Sequence, residues 1–201
     1  PVGPAAWEDD QTSLRAFVED NPDLFTYDSE DGSLEGDQTG EPLEVAKAID
    51  PVAFWREISS REKDVDIHIV HPEGDSLSYA DVTITVDVQG LFHTVTMDSD
   101  YTKEIDDTAI RYAYFERRDS GQVPRGHNGY GGWELKKISG WEISSNPSTK
   151  EIYSVQIVSS SGLVDTTITD VSSLWDVSDL FVFQPGDSIT LTVDTGNPDD
   201  L

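Results

Sequence analysis

Apolar and polar residues alternate with a period of two over most of this chain, and a helical period shows only near its N-terminus. Leu14, Phe17 and Val18 recur at the spacing of one helix face. They predict a first helix over residues 7–20, with Asp9 or Asp10 as N-cap and Asn21-Pro22 as its stop. Residues 42–49 read as a second, short helix with Leu43 and Ala46 facing inward. Asp50-Pro51 then offers an N-cap followed by Pro at the first helical position. A third helix is therefore predicted over 52–58, burying Phe54, Trp55 and Ile58. Between the first two helices lies an acidic, Gly-rich stretch, 28–41, that reads as a loop.

The strands follow. Val65, Ile67 and Ile69 alternate with Asp66 and His68 ahead of a His71-Pro72-Glu73-Gly74-Asp75 turn. Ala80, Val82, Ile84, Val86 and Val88 alternate strictly with Asp81, Thr83, Thr85 and Asp87. Gln89-Gly90 reads as a bend or bulge, 91–97 continues the ladder, and the acidic segment 98–107 reads as a link. From Ala109 the chain places Tyr112 and Tyr114 on one face and Ala113 and Phe115 on the other, the pattern of a central strand covered on both sides. A Gly-rich excursion, 119–132, leads to a partner strand from Trp133 to Ile138.

After Ser145 the pattern changes. Asn146-Pro147-Ser148 reads as a break, followed by strands over 152–159, 163–169, 180–183 and a last one carrying Ile189, Leu191 and Val193. Pro185-Gly186-Asp187 reads as a turn. Two domains are expected, 1–145 and 146–201, the second a small β-sandwich-like module. Its few strands fall short of a full sandwich, so either the first domain completes it or the sequence stops before the module's natural end.

Charge narrows the partners. The chain of 201 residues carries 40 acidic and 13 basic side chains, a net charge of −27. Such a field repels nucleic acid and anionic membrane surfaces. It is read either as a solvated surface or as an adaptation to high salt. No cysteine is present, so disulfides, thiolate metal sites and Cys nucleophiles are excluded. No apolar run is long enough for a membrane-spanning helix. Pro1-Val-Gly-Pro-Ala-Ala reads as a mature N-terminus downstream of a removed signal or lipid anchor, and so as an exported, periplasmic or cell-surface protein.

Four segments together, DPVAFWREI, YADVTITVDVQGLFH, IRYAYFERR and GWELKKISG, resemble the nuclear transport factor 2-like, cystatin-like family. Arg111, Ala113, Phe115, Arg117, Gly132, Trp133, Leu135, Ile138 and Ser139 carry the resemblance, which covers roughly residues 7–145. It implies an α+β fold, with N-terminal helices packed on a strongly bent antiparallel sheet in the form of a cone. It also implies a homodimer through the open sheet face. The excursion over 119–132 is longer than a tight hairpin needs.

Candidate chemistry is sparse. The four histidines, His68, His71, His93 and His127, do not have the spacing of a zinc site, and His68 and His71 should point to opposite faces. The 28–41 loop fails the calcium-loop pattern, since placing Gly32 at its sixth position puts Tyr27 at its first. No metal or cofactor is expected. Some members of the family resembled are isomerases or cyclases with a pocket Asp, His or Tyr. Under that reading Asp66 or His68, His93 and Tyr112 or Tyr114 are the catalytic candidates, with Tyr130 and Trp133 at the pocket mouth. The plainer account, strand residues that are exposed or hydrogen bonded, is preferred. The function expected is that of a non-catalytic exported or cell-surface protein whose first domain is a ligand-binding or assembly module, taking a small molecule or a protein partner. The alternative is a small-molecule enzyme of the polyketide-cyclase or ketosteroid-isomerase type.

Overall fold

The computed structural model describes residues 4–27, 34–35, 51–73, 77–118, 130–147 and 151–195. Within them, one long helix, α1 (Pro4–Asp20), is followed by a single turn, α2 (Pro22–Phe25). Strands make up most of the rest. They are β1 (Leu34–Glu35), β2 (Pro51–Val70), β3 (Tyr79–Thr96), β4 (Asp100–Arg117), β5 (Trp133–Ile138) and β6 (Glu142–Ser145). The C-terminal part adds β7 (Ser154–Ser159), β8 (Asp165–Ile168), β9 (Trp175–Asp176) and β10 (Ile189–Asp194). The molecule is therefore mainly β, and the expected α+β cone of helices over a bent sheet is not what forms.

An antiparallel meander of β2, β3 and β4 dominates a seven-stranded sheet ordered β1-β2-β3-β4-β5-β9, with β6 also pairing β4. At ~3.4 Å per residue its 18-residue strands β3 and β4 would each run roughly 60 Å. Core-facing positions alternate as the sequence pattern requires. Val82, Ile84, Val86 and Val88 of β3 and Ala109, Ala113 and Phe115 of β4 are nearly fully buried. Leu14 and Val18 of α1, and Phe25 of α2, close this core from one side. The other face of β4, with Tyr112 and Tyr114, is only half-buried, so the expected cover on both faces is lacking.

Several local expectations are corrected. Residues 52–58 lie within β2, not in a helix. Phe54, Arg56 and Ile58 stand on one face and Trp55 and Glu57 on the other, paired with Thr94, Phe92, Gly90, His93 and Leu91 of β3. Strand pairing decides here, because β-branched and aromatic residues suit a pleated surface and Pro51 is tolerated at a strand's first position. The 42–49 helix falls outside the described residues. The 98–107 segment does not link strands; most of it is the start of β4, after a tight turn in which Thr96 Oγ1 donates to Ser99 O (2.8 Å). Its acids alternate with Tyr101, Lys103 and Ile105, so charge hid the strand period.

The irregularity near Gly90 is real but lies on the partner strand. The register shifts between Ile58 and Ser60 while β3 runs on without a break. A Cβ at Gly90 would stand 2.2 Å from Glu57 O, so the two backbones approach there closer than any side chain permits. At the N-terminus α1 begins at Pro4, and Asp10 is an interior helix residue turned into the protein, not an N-cap. Asn21 Nδ2 instead closes the other end by donating to Phe17 O (2.7 Å).

In the C-terminal part β10, β7 and β8 form a separate three-stranded sheet, while β9 joins the large sheet by pairing β5. The expected strand over 180–183 is absent: a 3-10 turn (Val177–Asp179) precedes Leu180, and Phe183 has no strand partner. Gln184-Pro185-Gly186-Asp187 is a turn in which Asp187 N donates to Gln184 O (3.0 Å), with Gly186 at φ 93°. Two contacts just past the end of β5 hold the chain in place. Ser139 N donates to Tyr112 O (2.9 Å), and Gly140 N donates to Val171 O (3.0 Å), where a Cβ at Gly140 would sit 2.5 Å from Val171 Cγ2.

Candidate functional site

Four of the sequence candidates meet on the outer face of the large sheet. Asp66, Thr83 and Tyr112 form one row across β2, β3 and β4, and His68, Asp81 and Tyr114 form the next, extended by Lys137 of β5. Tyr114 Oη donates to Glu116 Oε1 (3.4 Å) and its ring lies 5.7 Å from that of Tyr79. The Tyr114 hydroxyl is held above its ordinary pKa by desolvation and by the carboxylate of Glu116. Asp66 and His68 are both exposed on this face.

His93 does not join them. It lies twelve residues further along β3 than Asp81, roughly 40 Å away at ~3.4 Å per residue. Its ring stacks on Trp55 at 4.8 Å and 8°, with Nδ1 3.3 Å from Thr102 Oγ1 and Nε2 3.4 Å from Glu57 Oε2. The candidate set is thus divided between two ends of the meander.

Tyr130 and Trp133 serve α1. Tyr130 Oη donates to Asp20 Oδ2 (3.0 Å), and its ring meets Phe17 edge-on at 4.8 Å. Trp133 is buried and its Nε1 donates to Asp10 Oδ1 (3.4 Å). Around Asp10, which is 2% exposed, the protein builds a polar cluster. Arg117 Nη1 donates to Asp10 Oδ2 (2.9 Å) while its Nε donates to Gly131 O (3.1 Å). His71 Nε2 lies 3.8 Å from the same carboxylate oxygen, and His71 Nδ1 is 2.9 Å from Ser78 Oγ. Ser78, His71 and Asp10 therefore stand in a row, but the Asp is committed to Arg117 and Trp133. The cluster acts as an anchor that joins α1 to the ends of β4 and β5.

A second anchor sits at Arg111, on the core face of β4. Its Nε donates to Ser139 O (3.1 Å), its Nη1 donates to Leu24 O, and its guanidinium lies 4.9 Å over the Trp141 ring. Desolvation lowers its pKa. A third pairing is exposed: Arg118 grips Glu134 through Nε (2.8 Å) and Nη2 (2.7 Å), and Lys136 Nζ adds a contact at 2.8 Å.

Hydrogen bonds from Arg118 and then Lys136 hold the Glu134 carboxyl at about 2, below its ordinary 4.5. A depressed folded value means that the unfolded chain takes up the proton first. The contribution of this pairing is complete above pH 4.5 and fades as pH falls towards 2. A carboxyl-detected NMR titration should therefore place the Glu134 midpoint near 2, and Arg118→Ala should raise it. A wild-type midpoint at the ordinary value would contradict the geometry.

A groove of ≈ 200 Å³ between α1 and β2 is lined by Arg15, Val18, Glu19, Lys63, Asp64 and Val65. It is smaller than the ~300 Å³ at which small-molecule sites begin, and its lining is mostly charged. Among the described residues no three His, Asp or Glu stand close enough to hold a metal. The acidic 28–41 loop lies outside the described residues except for Leu34–Glu35, which pairs with β2.

What the sequence reading missed is surface. In the small sheet Ile189, Leu191 and Val193 of β10 share one face with Val155 and Ile157 of β7, yet they are 49%, 61% and 45% exposed. Their alternation was legible, but it reads equally as a buried strand. Leu91, Met97 and Tyr101 are likewise exposed at the far end of the meander. No protein-family model, curated protein or solved structure matches this chain. The resemblance drawn from the segments in β2, β3, β4 and β5 thus has no support beyond the residues that carry it.

Proposed function

We propose that this protein is a non-catalytic assembly module, acting as an exported or cell-surface component that binds another polypeptide through exposed strand surfaces. The observation that carries the reading is the open apolar face of β10, where three aliphatic side chains in a row are about half exposed. An apolar strand left so open is an aggregation hazard unless a partner covers it. Among the described residues, two polar groups that could support catalysis are used otherwise: Asp10 is bound by Arg117 and Trp133, and His93 is stacked on Trp55. The groove beside α1 is too small and too charged to favour the small-molecule enzyme alternative. A photo-crosslinking side chain placed at Leu191 in cells that make the protein tests the reading. It should give one discrete polypeptide adduct that the same group at exposed Glu62 does not give.

A further inference from the structure

We infer that β10 is the docking edge for an extended, basic polypeptide segment, which adds to the small sheet as a further strand. The inference rests on the assembly reading above and names the chemistry of its partner. Three observations converge on the same six residues.

The first is the edge itself. The small sheet is ordered β10-β7-β8, and among the described residues no strand lies beyond β10. Ser160 N donates to Ser188 O (2.9 Å), in register with the pairing of Thr190 with Val158 and Thr192 with Gln156. Antiparallel pairs alternate in which residue faces its neighbour. The N–H and C=O groups of Ile189, Leu191 and Val193 therefore point away from β7, towards an incoming strand.

The second is the apolar face. The side chains of these same residues form an exposed stripe continuous with Val155 and Ile157. A strand added to β10 would extend that face and cover part of the stripe if every second residue were apolar. Main-chain hydrogen bonds then supply affinity and the alternate side chains supply selection.

The third is charge. Between residues 151 and 195 the sequence has seven Asp or Glu and no Lys, Arg or His. Asp187 stands just ahead of β10, and Asp194 is its last residue. Asp187 is fixed at the turn by Gln184 N (2.9 Å) and Ser161 Oγ (2.9 Å), which stabilise its charged form and lower its pKa. A second copy of this chain, itself at −27, is repelled at ordinary ionic strength, whereas a segment alternating Lys or Arg with apolar residues is attracted.

The experiment uses the purified full chain and three synthetic peptides of about ten residues, the length of a long strand. One alternates Lys and Val, one has the same composition in two blocks, and one alternates Glu and Val. The alternating Lys–Val peptide should bind at least about tenfold more tightly than either other peptide, a difference of about 1.4 kcal/mol. Leu191→Thr, which keeps a strand-forming residue and the net charge, should weaken that binding severalfold. N-methylation of alternate peptide amides should abolish it. Equal binding of the block peptide, no effect of Leu191→Thr, or self-association of the chain through β10 would overturn the inference. If the peptides fail while the Leu191 crosslink persists, the partner class is wrong and the assembly reading stands. If both fail, both fall.

Discussion

Arg117→Met is expected to lower the stability of the fold by about 3 kcal/mol, because it strands the buried carboxylate of Asp10 without its cation. Asp10 is 2% exposed and takes one bond from Arg117 at 2.9 Å and one from Trp133 at 3.4 Å. Removing the guanidinium also frees Gly131 O, which Arg117 Nε satisfies at 3.1 Å. For a chain of this size the thermal midpoint should fall by roughly 6–12 °C, at ~2–4 °C per kcal/mol. Asp10→Asn should cost less, since its amide oxygen still accepts from Trp133. The double variant Asp10→Asn/Arg117→Met should recover part of the loss, because no charge is then buried alone. A single Arg117→Met variant as stable as wild type, or a double variant worse than the sum of the singles, would show that the pair is not the anchor.

Phe115→Ala should cost about 3–5 kcal/mol, the range for deleting a fully buried aromatic ring. The ring is completely buried in β4, between Ala80 of β3 and Leu135 of β5. It meets Phe17 of α1 edge-on at 5.1 Å, and Phe17 in turn meets Phe25 at 6.2 Å and Tyr130 at 4.8 Å. One deletion therefore opens the contact between the helix and the sheet. Amide exchange should show α1 and the C-terminal half of β4 losing protection together, and Phe115→Leu should lose less. A shift in the urea midpoint worth no more than ~0.5 kcal/mol, the size of a surface substitution, would place the ring outside the core.

The large sheet was legible where residues alternate without interference. Ala80, Val82, Ile84, Val86 and Val88 face the core as their spacing requires, and the pairing of β4 with β5 follows from Tyr112 to Phe115 and Trp133 to Ile138. It was illegible where another signal imitated a different element. Phe54, Trp55 and Ile58 satisfy one helix face as well as two strand faces, and only pairing with β3 decides between them. Acidic residues masked the start of β4 in the same way, because charge reads as loop when half of a strand faces water.

The resemblance to a cone-shaped family has a physical source that requires no kinship. Ala113, Phe115, Leu135 and Ile138 are inward positions of one antiparallel pair, and Arg111, Arg117, Trp133 and Ser139 tie its ends to α1, α2 and the chain beyond β5. A sheet that holds a helix against its inner face buries apolar residues there, and in this chain long donors also tie its ends. The candidate site fared less well. Asp66, His68, Tyr112 and Tyr114 do share a face, as strand parity predicts, but their exposure and the remoteness of His93 depend on the whole sheet. Asp10 carried only the signature of a helix cap, and nothing local reveals that it turns inward to meet Arg117, which is 107 residues away.

The assembly reading depends most directly on whether β10 is covered when the protein is at work. A photo-crosslinking group at Leu191, activated in the producing cells, asks that question of one side chain. The account predicts a single heavier species of defined mass, absent when the group stands at Glu62 and lost when Ile189 and Val193 are also replaced by Ser. The same smear of adducts at Leu191 and Glu62, or no adduct at Leu191 in a folded protein, would contradict it.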